Sequence, residues 1–250
     1  MLKINCKEET ERIVKFIKET FKEKGFTKAV LGISGGLDSA VVCALLVKIL
    51  GKKNVYGLML PHGEQSDLKD SQLVCDKFDI EWDIRNIEVQ VKSFCSTSGT
   101  KKSSKEDDLR IGNIMARVRM INLYDASAYW NALVVGTGNK TELKLGYFTM
   151  YGDGACALEP IGHLYKTQVR QLAKYLGIPK KIIDKAPSAG LWEGQTDEKE
   201  LGMTYEEIDK FLMSYFIFPE DFAEYDKKYE FLVKRIKLNK FKMELPKCLN

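Results

Sequence analysis

Ser34, Gly35, Gly36, Leu37, Asp38 and Ser39 place two hydroxyls, two glycines and a carboxylate between a short β-rich run and a long apolar helical one. Backbone N–H groups freed at a helix start carry partial positive charge, and glycine lets an anion approach them without a Cβ in the way. The residue types therefore describe a phosphate cradle. Asp38 sets a carboxylate beside it, which suits a hard cation lying between carboxylate and phosphate, and Mg²⁺ is the expected one. Taken alone, the hexapeptide also fits a plain turn with Asp38 or Ser39 capping the helix. No Lys follows the glycines and GxxxxGK[ST] is absent, so this is not a Walker A loop.

Glu142 stands beyond a second strand end as Asp38 stands beyond the first. Both carboxylates can thus face one edge of a parallel sheet, where ligands of such sheets bind. An exposed first-turn helix carboxylate is the plainer alternative for Glu142. Lys166 opens a further helix and can neutralise phosphate charge as a bond breaks, although a surface lysine looks no different by composition.

The elements that must position these groups follow from periodicity. Residues 8–24 carry Ile13, Phe16, Ile17 and Phe21 at helical spacing and end at Gly25. Residues 28–33 read as a strand and 40–50 as a helix ended by Gly51. The alternation repeats with 55–60 as strand, 68–78 as helix, 82–87 as strand, a long helix over 107–130 and a fourth strand at 133–136. This order predicts an α/β fold, a doubly wound, mostly parallel sheet with helices on both faces. Further helices are expected at 165–176, 205–213 and 219–238. Residues 96–108 are small, polar and without period, so they are expected to form a loop in which Lys101 and Lys102 are solvated. Trp82, Trp130 and Tyr229 read as core or interface aromatics.

Composition narrows the class. The 250 residues are 44% hydrophobic and 30% charged, a globular mixture of the size of one α/β domain, 1–250. The longest apolar run, 40–47, cannot span a bilayer. A net charge of +4 is compatible with phosphate ligands but gives no case for nucleic acid. Cys6, Cys43, Cys75, Cys95, Cys156 and Cys248 form no CxxC pair, and residues 1–5 begin no signal sequence. Reduced thiols in a cytoplasmic protein are expected. With only His62 and His163 available, a structural zinc site is not expected.

Residues 34–39 resemble the SGGxDS pyrophosphate-binding loop of the N-type ATP pyrophosphatases. Downstream, GNIMAR at 112–117, GTGNKTE at 136–142, GYFTMYGDGA at 146–155, LYKT at 164–167 and KAPSAGLWEGQTDE at 185–198 resemble the NAD synthetase family. The resemblance runs from Gly32 to about Lys242. It implies an adenine nucleotide alpha hydrolase-like fold with extra C-terminal helices and ligase activity. ATP adenylylates the carboxylate of deamido-NAD with loss of pyrophosphate, and ammonia then displaces AMP to give NAD.

Position by position, the resemblance implies that Gly32, Ile33, Ser34, Gly35, Gly36, Leu37, Asp38 and Ser39 bind ATP with Thr137, Lys166 and Ser188. Asp38 and Glu142 would hold Mg²⁺, and Arg117, Phe241 and Lys242 would contact deamido-NAD. Asp153 would take a proton from the incoming ammonium, making it and Lys166 the catalytic pair. Many members carry Lys before YGDG and Asp shortly after it, where this chain has Met150 and Ala157. Backbone or partner-subunit contacts are expected to replace those charges.

No glutamine amidase domain of the nitrilase type fits within the length, so ammonia is the expected donor. A homodimer is implied, with no nucleic-acid or membrane partner, and the long helix at 107–130 would suit its interface. Loops 60–67 and 190–202 are expected to close over the substrates, with Trp192 in the second. A tRNA-modifying pyrophosphatase using the same loop is the competing enzyme reading, and a non-catalytic nucleotide-binding protein the competing binding one.

Overall fold

The computed structural model describes residues 2–63, 68–99, 104–188, 196–217, 227–244 and 248. Its centre is a parallel sheet of β1 (Ala29–Gly32), β2 (Val55–Met59), β3 (Glu81–Ile84) and β4 (Leu133–Val134), in the order β3-β2-β1-β4. Ala29 pairs with Val55 on one side and Leu133 on the other, so β1 is central. Beyond β4, Leu158 bridges in parallel to Val135 and extends the sheet by a short step. From β1 the chain winds outward through β2 to β3, then returns to the far side of β1 as β4. The loops after β1 and β4 therefore diverge over opposite faces and leave a crevice between them, as at any topological switch point.

Helices cover both faces, as the alternating pattern predicts. On one face, α1 (Cys6–Lys24), α2 (Leu37–Leu50), α3 (Leu68–Phe78), α7 (Lys166–Tyr175) and α8 (Lys180–Asp184) supply Ile13, Leu45, Val74, Leu172 and Ile182 to one core. On the other, α4 (Glu88–Thr97) and α5 (Lys105–Trp130) bring Val91, Met115 and Ala126 against Val30, Leu58 and Val134. The β1 residues Ala29, Val30 and Leu31 are fully buried, as a central parallel strand requires. A third core joins α6 (Lys140–Leu145), α9 (Asp197–Leu201), α10 (Tyr205–Ile217) and α11 (Glu230–Asn239) through Leu145, Leu201, Ile208, Phe211 and Leu232. Of these, α9, α10 and α11 are the additional C-terminal helices.

Several boundaries depart from the sequence reading. Residues 88–97 form α4, which periodicity missed because only Val91 of that helix is buried. The polar stretch 96–108 is not a loop throughout: its first two residues end α4, and Ser104 caps α5 by accepting from the Asp107 N–H. Lys101 and Lys102 lie outside the described residues. Phe16, expected on the buried face of α1, is 44% exposed, and Thr10 takes a place on that face. Trp130 stacks on Tyr56 and Tyr229 on Phe211, whereas Trp82 on edge strand β3 is half-exposed. Cys6, Cys43, Cys75, Cys95 and Cys156 form no disulfide. Among the described residues no helix is long and apolar enough to cross a membrane.

Candidate active site

The loop from β1 into α2 closes on itself. Gly35 adopts φ +72°, and Ser34 Oγ accepts the Gly36 N–H at 3.2 Å. Ser39 Oγ donates to Gly36 O at 3.1 Å and lies 3.1 Å from Ser34 Oγ. Neither Asp38 nor Ser39 caps α2: the cap is Gly36, which makes no side-chain cap bond. The serines thus hold the loop's shape, and the backbone N–H groups at the start of α2 are left for an anion. The Ile33 and Leu37 side chains belong to the hydrophobic core, so these two residues can offer a ligand only their backbone.

The loop after β4 brings the second carboxylate to the same place. Asn139 caps α6 and accepts the Glu142 N–H at 3.1 Å, while Glu142 Oε2 accepts the Asn139 N–H, a reciprocal capping box. Asn139 is fully buried, and its Nδ2 donates to Asp38 Oδ1 at 3.2 Å. One cap thereby registers both loops against each other. Lys166 Nζ closes the arrangement at 2.5 Å from Asp38 Oδ2 and 3.0 Å from Glu142 Oε1. Burial opposes the Lys166 charge, but Asp38 and Glu142 outweigh it and push its pKa up. Burial raises the Glu142 pKa, with Lys166 pulling against it.

This donor set can be tested against a divalent cation. Two carboxylates converge on one point, and among the described residues no group of three or more His, Cys, Asp or Glu is placed to hold an ion alone. One or two carboxylates completed by water and substrate phosphates is the ordinary binding mode of Mg²⁺. The residues fit that ion and not a dedicated protein cage.

Lys166 is itself fixed from behind. Its N–H donates to Thr141 Oγ1 at 3.0 Å, Thr141 donates to Asp209 Oδ1, and Asp209 Oδ2 accepts the Thr167 N–H at 2.8 Å. Asp197, on α9, accepts from Tyr205 Oη at 2.8 Å and Tyr147 Oη at 3.3 Å.

Beside this cluster opens a cleft of about 560 Å³. Gly32, Ile33, Ser34, Thr137, Asp153, Ser188 and Lys242 line it, uniting residues expected to bind ATP with two expected near the acceptor. Asp153 sits in a turn whose Tyr151 takes φ +60°, and its Oδ1 accepts the Thr149 N–H at 2.8 Å. Burial raises the Asp153 pKa, opposed by hydrogen bonding to the Thr149 N–H and more weakly by Lys242 and Arg119. Lys242 Nζ donates to Gly146 O and Phe148 O, each at 2.9 Å.

Arg117 and Phe241 are not brought into the cleft lining. Arg117 is exposed and donates to Met150 O at 3.3 Å, and Phe241 is 57% exposed. Ala157 packs at the margin of the main core, its N–H donating to Val134 O at 2.8 Å. Residues 64–67 and 189–195, including Trp192, lie outside the described residues.

Several site residues were not singled out by the sequence. Asn113 accepts from Thr149 Oγ1 at 2.8 Å, Arg119 Nε donates to Leu60 O at 3.1 Å, and Arg235 lines the cleft from α11. Asn113 and Arg119 lie in or beside the GNIMAR motif, so a signal was present; for Arg235 there was none. Glu159 Oε2 accepts the Gly138 N–H at 2.8 Å, and Oε1 accepts from Cys156 Sγ at 3.3 Å. Burial pushes the Glu159 pKa up to about 8 against those bonds. A Cβ on Gly136 would lie 2.5 Å from Glu159, which explains a glycine there.

A family model described as NAD synthase matches residues 9–246. The chain is 48% identical over 211 residues to a curated NH(3)-dependent NAD(+) synthetase of Fusobacterium nucleatum, covering 84% of this chain and 80% of that one. A solved structure of NMN synthetase from Francisella tularensis superposes with a TM-score of 0.85 at 35% identity, covering 99% of this chain and 100% of the other. NH3-dependent NAD synthetase from Campylobacter jejuni, in complex with the nitrate ion, gives 0.82 at 34% identity, with coverage of 99% and 100%.

Proposed function

The chain belongs to the NAD synthase family, and from that premise we propose how its residues carry out the reaction. It is a ligase that forms NAD from deamido-NAD, ammonia and ATP. In the first step the nicotinate carboxylate attacks the α-phosphorus of ATP and pyrophosphate leaves. In the second, ammonia attacks the acyl carbon and AMP leaves.

Gly32, Ile33, Ser34, Gly35, Gly36, Leu37, Asp38 and Ser39 hold the departing pyrophosphate through backbone N–H groups at the α2 start. Thr137 and Ser188 hold the nucleoside and phosphate portions of ATP. Asp38 and Glu142 hold Mg²⁺, which supplies charge neutralisation for the triphosphate. Lys166, poised between those carboxylates, turns its ammonium toward the phosphate oxygens as charge grows on them. Asp153 accepts the proton that ammonium must lose before its nitrogen can attack, and its raised pKa brings it nearer to the donor's. Arg117, Phe241 and Lys242 contact deamido-NAD. Arg117 and Phe241 stand outside one protomer's cleft, so a homodimer that brings a second surface against them completes the acceptor site. The whole chain works as one synthetase domain in the cytoplasm, with ammonia as donor.

One observation carries this reading: Asp38 from the end of β1 and Glu142 from beyond β4 meet at Lys166 next to the cleft. A second acceptor, nicotinate mononucleotide, is favoured by the likeness to an NMN synthetase. The test supplies ATP, Mg²⁺ and ammonium with either acceptor and follows amide and pyrophosphate. Equimolar NAD and pyrophosphate from deamido-NAD is the expected result. Faster amidation of the mononucleotide transfers the assignment to that acceptor. Folded, ATP-binding protein that amidates neither leaves tRNA as the acceptor to try next.

A further inference from the structure

Two cleft-lining cations, Arg119 and Arg235, have no task in the proposed reaction, and of these only Arg235 lacks a side-chain hydrogen bond among the described residues. Arg235, on α11, lines the cleft and lays its guanidinium 5.0 Å from the centroid of the Tyr147 ring. Its Nε is buried without a hydrogen-bond partner, and its side chain forms no hydrogen bond or ion pair among the described residues. The other cations in or beside the cleft already have partners. Lys166 spans Asp38 and Glu142, Lys242 donates to Gly146 O and Phe148 O, and Arg119 donates to Leu60 O. An unspent guanidinium in a partly desolvated wall is costly unless something supplies acceptors. Its planar fork matches the paired oxygens of a carboxylate or a phosphate.

Position separates the two nucleotides. The groups suited to the triphosphate gather at the β1 loop and Lys166. Arg235 lies across Tyr147 from them, and the Tyr147 hydroxyl is bonded to Glu200 at 2.8 Å and to Asp197 at 3.3 Å. Asp197 feels the Lys166 charge on the phosphate side, whereas the Glu200 carboxylate acts on Arg235. We propose that Arg235 is a binding residue for the acceptor, taking two anionic oxygens of deamido-NAD in its guanidinium fork. The inference rests on the acceptor assigned above.

The test uses the full chain with Arg235→Lys and Arg235→Gln, measured at saturating ammonium and Mg²⁺. The KM for deamido-NAD should rise about tenfold or more in both variants, while the KM for ATP stays within about twofold. Lysine keeps the charge and the apolar stem over Tyr147 but lacks the fork, so a packing role would be rescued by it and a binding role would not. Unchanged deamido-NAD KM in folded Arg235→Lys overturns the proposal, as does a parallel rise in both KM values. If Arg235→Gln does not fold, the Lys variant decides alone. Wild-type protein that makes no NAD overturns the acceptor assignment itself, whereas active wild type with an unmoved Lys variant overturns only the role of Arg235. Product NAD, which keeps the pyrophosphate but lacks the carboxylate, tells the two anion sources apart. Weaker NAD inhibition in the variants identifies pyrophosphate, and unaltered inhibition identifies the carboxylate.

Discussion

Asp38 and Glu142 share one lysine, and each is needed for what the other does. With either made neutral, Lys166 keeps one partner and the fold keeps its cores. Asp38→Asn and Glu142→Gln should therefore retain cooperative unfolding while Mg²⁺-dependent turnover drops by about a hundredfold or more, as when a preorganised electrostatic group is lost. Near-wild-type turnover in both variants, measured by pyrophosphate release, would remove them from the metal site. Asp153 makes a prediction in pH. Its raised pKa places the acid limb of activity above that of an ordinary aspartate, and activity rises with pH as the carboxylate forms. Asp153→Asn should lose that limb along with most of the ammonia step, while pyrophosphate release from ATP and deamido-NAD remains measurable. Glu159 contributes to stability in the opposite sense from a salt-bridged acid. Its folded pKa, about 8, lies above the ordinary 4.5, so the native state binds the extra proton. Its contribution is complete below pH 4.5 and is lost as pH rises toward 8. Glu159→Gln should flatten the fall of the melting temperature across that window relative to wild type.

At the scale of elements, the short helix α6 matters more than its six residues suggest. Its cap, Asn139, satisfies the helix start and also bonds Asp38 across the switch point. Asn139→Ala should cost about 1 kcal/mol of stability through the lost cap, and more for the buried group left unpaired. Asn139→Ser restores a capping oxygen but not the amide that reaches Asp38. Thermal melts and turnover measured together should show stability recovered and activity still low; full recovery of both would reduce Asn139 to a cap. The boundaries of α1, α2, β1 and β2 were legible to within a few residues because their buried stripes and apolar runs carry strong periods, whereas of the helix expected at 219–238 the described residues show α11 from Glu230 and residues 218–226 lie outside them. α4 was not, since a single buried residue leaves no period to read.

For the whole molecule, the exposed apolar residues Ile121 and Tyr124 of α5 and Val89 and Phe94 of α4 suit the proposed dimer. Ile121→Asp should shift the sedimenting species to monomer and raise the KM for deamido-NAD, with ATP binding less affected; a monomeric wild type would dismiss the dimer. By itself the sequence determined the class of chemistry and the order of elements. SGGLDS must lie at a strand-to-helix junction, and alternating β and α runs must wind a parallel sheet, because both depend on residues near one another along the chain. Tertiary structure alone decided which distant groups meet. Asn139 reaches Asp38 over 101 positions and Lys166 reaches it over 128, while Asp209 braces Thr141 and Thr167 from another helix layer. It also decided that Arg235 turns inward with its Nε buried and unpartnered, although its local pattern reads as an ordinary basic helix residue. Such contacts have no period and no spacing in one sequence. They exist only because sheet order and helix packing close long loops around a common crevice, where burial and charge then set what each side chain does.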